Sequence, residues 1–490
     1  MRSQIVARSR GALGLVLAVT TLLVSGGCLT VGPDYEQPAL DMPDAWTTAA
    51  TDGLEDGTAP LQTWWTIFDD PTLDELIERA MDSSLDLELA MWRIEEARAF
   101  RGVTAGAQVP QVQLSGESSY SQPSDNGMLG DLAPEGGFDA SELHDYSVGA
   151  GWELDLWGRI RRAVESADAA LEASVEDSRD VLVSLLAEVA LSYVDLRTLQ
   201  ERIRLAQANV RAQQSTLKLT QDRFNAGLVS ALDVAQAESN LSNTESLIPT
   251  LERDLQLTAN RLAVLLGDVP GSLDAELADP KPIATEPARV TAGLPADLLR
   301  QRPDVRRAER QLAAQNALIG VATADLYPTF SLSGFIGLQS ADGSDLLSGD
   351  SVTWGVGLPI RWDLFSGGRI RSQIRVEEAR TQQALVRYEQ TVLLALEEAE
   401  GALESYRRRL ERRAKLRISV KATERSLDLV MTQYRAGLAD FQNVLDTQRS
   451  LLNRQDELAT TRGGVIRDLI GIYRSLGGGW LPEESPRPEP

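Results

Sequence analysis

The 490 residues are 43% hydrophobic and 24% charged, a composition that forms a packed core and excludes a disordered chain. A formal net charge of −24 argues against nucleic acid as a partner, because phosphates demand a basic footprint. One histidine (His144) and one cysteine (Cys28) leave no zinc-type ligand cluster and no internal disulfide, and any Ser-His-Asp arrangement would rest on His144 alone. There is no P-loop and no dinucleotide fingerprint. Neither a cofactor nor enzymatic chemistry is expected, His144 is read as an ordinary exposed residue, and the function has to be mechanical, conductive or adhesive.

Residues 1–27 have the layout of a secretion signal, with Arg2, Arg8 and Arg10 ahead of an apolar stretch at 12–24 that is too short to span a membrane as a mature helix. Ser25-Gly26-Gly27-Cys28 follows. It resembles a bacterial lipobox, although Ser25 replaces the usual large aliphatic. That resemblance implies acylation of Cys28, and Leu29 in place of Asp permits export to the outer membrane. No later segment approaches 18 uncharged apolar residues, so a membrane crossing would have to use strands.

A Pro- and Asp-rich anchored segment (28–70) is read as irregular surface chain. Trp64-Trp65 lead into a helix that opens at Asp70-Pro71 and is expected to run to about Gly106. Period-2 alternation then predicts a strand pair at 109–121 and 144–157, separated by a Gly/Asp/Pro/Ser-rich loop. Each strand has about the length needed to cross a bilayer at a tilt. Apolar residues at spacings of 3 and 4 from Leu182 to Phe224 predict a long coiled-coil helix. Taken over 159–225 it would span about 100 Å at 1.5 Å per residue. The return helix contains Pro249, where a kink is expected.

The second part of the chain repeats the first. Trp152-Glu-Leu-Asp-Leu-Trp-Gly158-Arg159-Ile160-Arg161 returns as Trp362-Asp-Leu-Phe-Ser-Gly-Gly368-Arg369-Ile370-Arg371, and Ala226-Gly227-Leu228 returns as Ala436-Gly437-Leu438. Upstream, Gly102-Val103 and Pro110 match Gly320-Val321 and Pro328. The first copy takes residues 71–267, with a helical hairpin at 158–267. The second takes 295–477, with strands at 327–339 and 351–365 and a hairpin at 367–477. Residues 268–294 are a linker and 478–490 a disordered tail. Four strands cannot close a barrel and lipid tolerates no open edge, so closure by several identical chains is the physical solution.

Both hairpin turns can be read locally. Gly227 and Gly437 are placed as left-handed C-terminal caps with Leu228 and Leu438 as apolar companions. Ser230 and Asp233 form a capping box, and Asp440 caps the last helix with Asn443 behind it. The basic run Arg407-Arg408-Arg409, Arg412-Arg413 is read as an ion-pairing face.

Cys28-Leu-Thr-Val-Gly-Pro33-Asp34-Tyr35, Gly293-Leu294-Pro295-Ala-Asp-Leu298-Leu-Arg-Gln-Arg302-Pro303-Asp304-Val305-Arg306-Arg307-Ala-Glu309 and Tyr327-Pro328-Thr-Phe330-Ser-Leu-Ser-Gly334 resemble the TolC-like outer membrane efflux lipoproteins that serve resistance-nodulation-division pumps. The resemblance implies an α+β, mostly helical homotrimer with a 12-stranded β-barrel (four strands per chain), a long coiled-coil α-barrel and a mixed equatorial belt. It implies a passive exit duct for drugs or other small solutes, fed by an inner-membrane transporter and a periplasmic adaptor. The tips Ala226, Gly227, Leu228 and Ala436, Gly437, Leu438 match adaptor-contacting segments. Asp446 matches an acidic residue narrowing the periplasmic end, with Gln442 and Asn443 at neighbouring constriction positions, and Asp233 is a gate or a cap. A type I protein secretion duct and a non-conducting, lipid-anchored coiled-coil scaffold are the alternatives.

Overall fold

The computed structural model describes residues 30–39, 43, 45–47, 54–55, 61–124, 126–127, 139–284, 290–291 and 301–480. The signal segment, Cys28 and the final ten residues lie outside the described residues, as does Gly293 to Arg300 of the Leu-Pro motif. Two compact units emerge, and each draws on both copies of the repeat. One is formed by 1–38, 95–173 and 309–387, the other by 39–94, 174–308 and 388–490.

The first unit carries the sheet. Its strands β2 (Gln111–Ser121), β3 (Ser141–Leu154), β5 (Thr329–Ser340) and β6 (Val352–Gly357) are antiparallel in that order, and β7 (Ile360–Arg361) pairs with β5. The two copies meet at β3 and β5, in a register running from His144 opposite Ser340 to Leu154 opposite Phe330. Directly opposed residues share a face. One face therefore collects Leu114, Val148, Ile336 and Trp354, with Val112, Ala150, Gly334 and Val356 one rung along. The other face carries Ser115, Ser147, Gly337 and Thr353. Leu114, Val148, Ile336, Trp354 and Val356 are all exposed, so the apolar face has no protein over it.

Strand ends depart from the expected ones for local reasons. The strand expected at 144–157 starts at Ser141 and stops at Leu154, because Asp155 turns to the next helix, accepting from the backbone N–H groups of Ile160 (3.1 Å) and Arg161 (2.9 Å). The strand expected at 351–365 breaks at Pro359, which has no N–H for the ladder, and pairing ends at Arg361.

The second unit holds the apolar core. Helix α1 (Pro71–Ser83) starts on Asp70, whose side chain accepts from Thr72 N–H. Helix α2 (Leu85–Ala105) follows, so the single helix expected from 71 to about 106 is two. The break is at Ser84, which adopts an extended conformation, beside Ser83, whose hydroxyl donates to the carbonyls of Arg79 and Leu266. Helix α3 (Arg159–Asn225) is 67 residues long, as is its copy α7 (Arg369–Arg435). The return of the first hairpin is α4 (Ala231–Glu245) and α5 (Leu247–Leu265); that of the second is the single α8 (Phe441–Ser475). In place of the kink expected at Pro249, the helix is divided one turn earlier, at Ser246, which keeps right-handed helical angles, since a proline denies a hydrogen bond to the carbonyl four residues before it.

Trp64, Leu73, Leu76 and Ile77 pack with Leu186, Val189 and Tyr193 of α3, Leu262 of α5, Tyr406 of α7 and Leu469 and Tyr473 of α8. Each such aliphatic is worth about 1.5–3 kcal/mol on burial. The Trp64 and Tyr473 rings stack at 5.7 Å, and the buried Tyr193 hydroxyl donates to Asp70 at 2.7 Å, its pKa pushed up to about 12 by burial and the carboxylate. The linker is not loose over its described length, since Leu273 and Leu277 belong to this core. Its residues Val290–Thr291 (β4) pair in parallel with Leu54–Glu55 (β1). The expected tail also begins inside the fold, with Trp480 buried beneath the guanidinium groups of Arg179 and Arg306.

Candidate functional site

Both hairpin tips end in the same hydrogen-bonded cap. Gly227 (φ 74) donates to Phe224 O and Leu228 to Arg223 O; Gly437 (φ 76) donates to Tyr434 O and Leu438 to Gln433 O. These paired bonds are a Schellman motif, which needs a left-handed residue. A Cβ on Gly227 would meet nothing within 4 Å, so the backbone angle alone selects glycine there. Ala226, Leu228, Ala436 and Leu438 are exposed, which leaves two bare leucines at the tips.

After the first tip, Ser230 and Asp233 make the reciprocal capping box. After the second, Asp440 stands at the N-cap, but its side chain makes no cap hydrogen bond. The expected side-chain cap is therefore absent; Asn443 N–H bonds the backbone carbonyl of Asp440 instead.

The tips are joined. Arg223 Nη1 donates to the carbonyls of Tyr434 (2.6 Å) and Arg435 (3.1 Å), and its guanidinium lies 4.7 Å from the Tyr434 ring centroid. Beneath it Tyr434, Phe441, Val444 and Leu445 pack on Ala237. One layer further, Gln448 donates to Thr216 at 2.8 Å and Arg449 to Asn240 at 2.9 Å, tying α8 to α3 and α4. The linking role of Arg223 was not anticipated, although the departure from the repeat was there to read, because Gln433 occupies its place in the second copy.

With Phe441, Val444, Leu445 and Gln448 turned inward, Gln442, Asn443 and Asp446 fall together on the exposed side of α8. Gln442 Nε2 donates to Asp446 Oδ1 at 3.0 Å. One chain thus presents a short polar strip ending in a carboxylate. Converging copies of such a strip would bring like charges together, which favours separation.

His144 is half-buried, contrary to the exposed position expected. Its Nδ1 lies 2.8 Å from Ser118 Oγ, and its Nε2 3.2 Å from Glu142. Ser118 Oγ is also 2.8 Å from the Tyr146 hydroxyl. The basic run of α7 is an ion-pairing face: Arg407 and Arg408 hold Glu404 and Glu411, Arg409 holds Asp468, and Arg412 holds Glu457. Among the described residues no helix is long and apolar enough to cross a membrane.

The Arg302-to-Glu309 stretch, at the start of α6 (Pro303–Ala324), is an ion-pair lattice. In the second unit buried Arg302 grips Asp304, Glu398 (2.8 Å) and the carbonyl of Ser475 (2.5 Å). Arg306 holds Glu176 and Arg307 holds Asp177 and Asp180. Burial raises the Asp180 carboxyl above its ordinary range despite Arg307. In the first unit Glu309 accepts from the Tyr35 hydroxyl at 2.7 Å and pairs with Arg310.

Comparison with known proteins places this geometry. A family model described as outer membrane efflux protein matches residues 76–268 and 294–478. Nodulation protein T of Rhizobium leguminosarum bv. trifolii is 32% identical over 94% of this chain and 96% of its own. The solvent efflux pump outer membrane protein SrpC of Pseudomonas putida is 30% identical over 95% and 98%. Among solved structures, the outer-membrane channel OprN superposes with a TM-score of 0.85 at 37% identity, covering 92% of this chain and all of that one. The open-state MtrE channel of Neisseria gonorrhoeae gives 0.79 at 25%, covering 92% and 98%.

Proposed function

This chain belongs to the outer membrane efflux protein family, and from that premise we propose how its residues build and gate an export duct. It is a TolC-like outer membrane channel of the efflux class, mostly helical, with its long helices extending into the periplasm. Three copies close the four-stranded sheets into a twelve-stranded barrel, and their helical hairpins form the tunnel below. The observation that supports this most directly is the sheet, whose continuous apolar face is exposed and whose strands β2 and β6 end the order as open edges. Lipid covers such a face, and lipid tolerates no edge. A non-conducting scaffold would leave that face in water.

The duct is passive. An inner-membrane resistance-nodulation-division transporter delivers drugs or other small solutes through a periplasmic adaptor, which grips Ala226, Gly227, Leu228 and Ala436, Gly437, Leu438. The exposed leucines support that docking, as does the open space beside Gly227, where a Cβ would meet nothing within 4 Å. Cys28 carries the lipid anchor. Asp446, with Gln442 and Asn443, lines the narrow periplasmic end, where three carboxylates near one axis repel until the hairpins splay. Asp233 serves as a cap, which its two bonds with Ser230 support.

The test is planar-bilayer recording of the purified full-length protein, with D446A alongside. The expected result is discrete channel activity, raised in conductance or leak by the substitution. Unchanged conductance in a normally assembled D446A trimer would remove Asp446 as the gate, whereas silence of the wild type with intact trimers would sink the duct itself.

A further inference from the structure

We propose that the second unit contains a binding site for a small polyanion bearing carboxylate or phosphate groups. A cavity of about 450 Å³ is lined by Glu201 and Arg204 of α3, Arg413 and Arg417 of α7, Arg462 of α8, and the linker wall around Ile283. Its size lies within the usual range for small-molecule sites.

The charge of the lining runs against that of the molecule. Four guanidinium groups face one carboxylate in a chain whose net charge is −24. That carboxylate is already engaged, because Arg204 holds both oxygens of Glu201 at 2.7 and 2.8 Å. On the same helix Arg407, Arg408, Arg409 and Arg412 each hold an acid. Arg417 and Arg462 make no ion pair among the described residues. With Arg413 engaged as well, the positive charge left to this cavity is carried by Arg417 and Arg462. Planar guanidinium forks from two helices match oxyanions that offer paired oxygens.

The duplication supplies an internal control. The positions equivalent to Arg204, Arg413, Arg417 and Arg462 in the other copy are Ala414, Ile203, Gln207 and Glu252. No arginine stands there and one residue is acidic. A cluster needed only to hold the repeated helices together would recur at the pseudo-equivalent junction. This one does not, so each chain holds one such site.

The experiment uses full-length protein in detergent, titrated at constant ionic strength with inorganic phosphate or with citrate, thermal unfolding being followed against chloride. A saturable rise in melting temperature is expected with at least one of them. A response to citrate alone assigns carboxylate as the ligand chemistry, and a response to phosphate alone assigns phosphate. R417Q/R462Q should weaken the response at least tenfold, while R425Q, an exposed arginine of the same helix outside the cavity, should leave it unchanged. If the double variant fails to assemble, R462Q alone must still shift the titration midpoint. Absence of a saturable response to both anions, or equal responses in wild type and variants, overturns the proposal.

Discussion

Arg223 closes the C-terminus of the helix that carries Tyr434: its guanidinium caps the Tyr434 carbonyl at 2.6 Å and lies over that residue's own ring. The link runs one way. The first copy supplies the cation, and the second copy supplies the carbonyls, whose partial negative charge at a helix end attracts it. The Tyr434 hydroxyl is buried without a hydrogen-bond partner, so it adds nothing to the link.

R223A should therefore loosen the second hairpin against the first. The expected outcome is increased leak in bilayer recordings and faster proteolysis near residue 435, with R223K restoring part of the closure. Y434F should behave as wild type, because the ring and the carbonyl both remain. Equal conductance in R223A and wild type would show that the cap plays no part in closure.

Alanine at Gly227 or Gly437 tests the turn chemistry apart from any docking surface. Holding an alanine in the left-handed region costs about 1–2 kcal/mol, and neither site adds a close contact, the nearest atom being Arg223 Nη2 at 3.8 Å from a Cβ on Gly437. The melting temperature should fall modestly with the trimer retained. L228D or L438D should leave stability alone and reduce capture by the adaptor. Loss of adaptor capture in G227A without any change in melting temperature would show that the glycine itself is the contact.

Arg302 is the costliest single residue of the ion-pair lattice to remove. R302A strands Asp304 and Glu398 and uncaps the carbonyl of Ser475. Asp304 is left mostly buried but Glu398 is 44% exposed, so the cost is about 3 kcal/mol, the low end for breaking a buried pair. Thermal melting and yield of assembled protein should both fall sharply, and R302K should rescue only part, since an ammonium cannot reproduce the fork. A melting temperature unchanged in R302A would place the motif's importance elsewhere.

Acidification should first stabilise the helical unit. Burial raises the carboxyls of Asp180, Asp195 and Asp468 above 3.8, against the opposing pull of Arg307, Arg467 and Arg409 respectively. The folded state then binds these protons more readily than the unfolded chain does. Their contribution is present at low pH and is lost as pH rises through the raised values. Glu404 and Glu457 run the opposite way, held below 4.5 by hydrogen bonds from Arg407 and Arg412. Their contribution is present above 4.5 and is lost as pH falls through the lowered values. Melting temperature should rise as pH falls from neutrality through the raised carboxyl values and decline as it falls further through the lowered ones, with part of the rise absent in D468N. A monotonic decline from neutrality would contradict this assignment.

Much of this was legible in the chain. The duplication, the 67-residue helices and the two glycine turns follow from local rules, because periodicity and caps act within a few residues of one another. Trimming at Pro359 and the turn at Asp155 were equally local and could have been read from an absent N–H and an unused carboxylate. The site strip was half legible: the position of Asp446 deep in its helix excluded capping, and the spacing of Gln442, Asn443 and Asp446 put them on one side.

The sequence by itself determined the elements, their duplication and the family, since each rests on spacing along one chain. Only the tertiary structure decided which face of the sheet stayed bare, that Arg223 reaches the other copy's helix end, and that Arg204, Arg413, Arg417 and Arg462 share a cavity. Those facts depend on residues tens to hundreds of positions apart. Their meeting is set by how helices and strands pack, and no local periodicity encodes it.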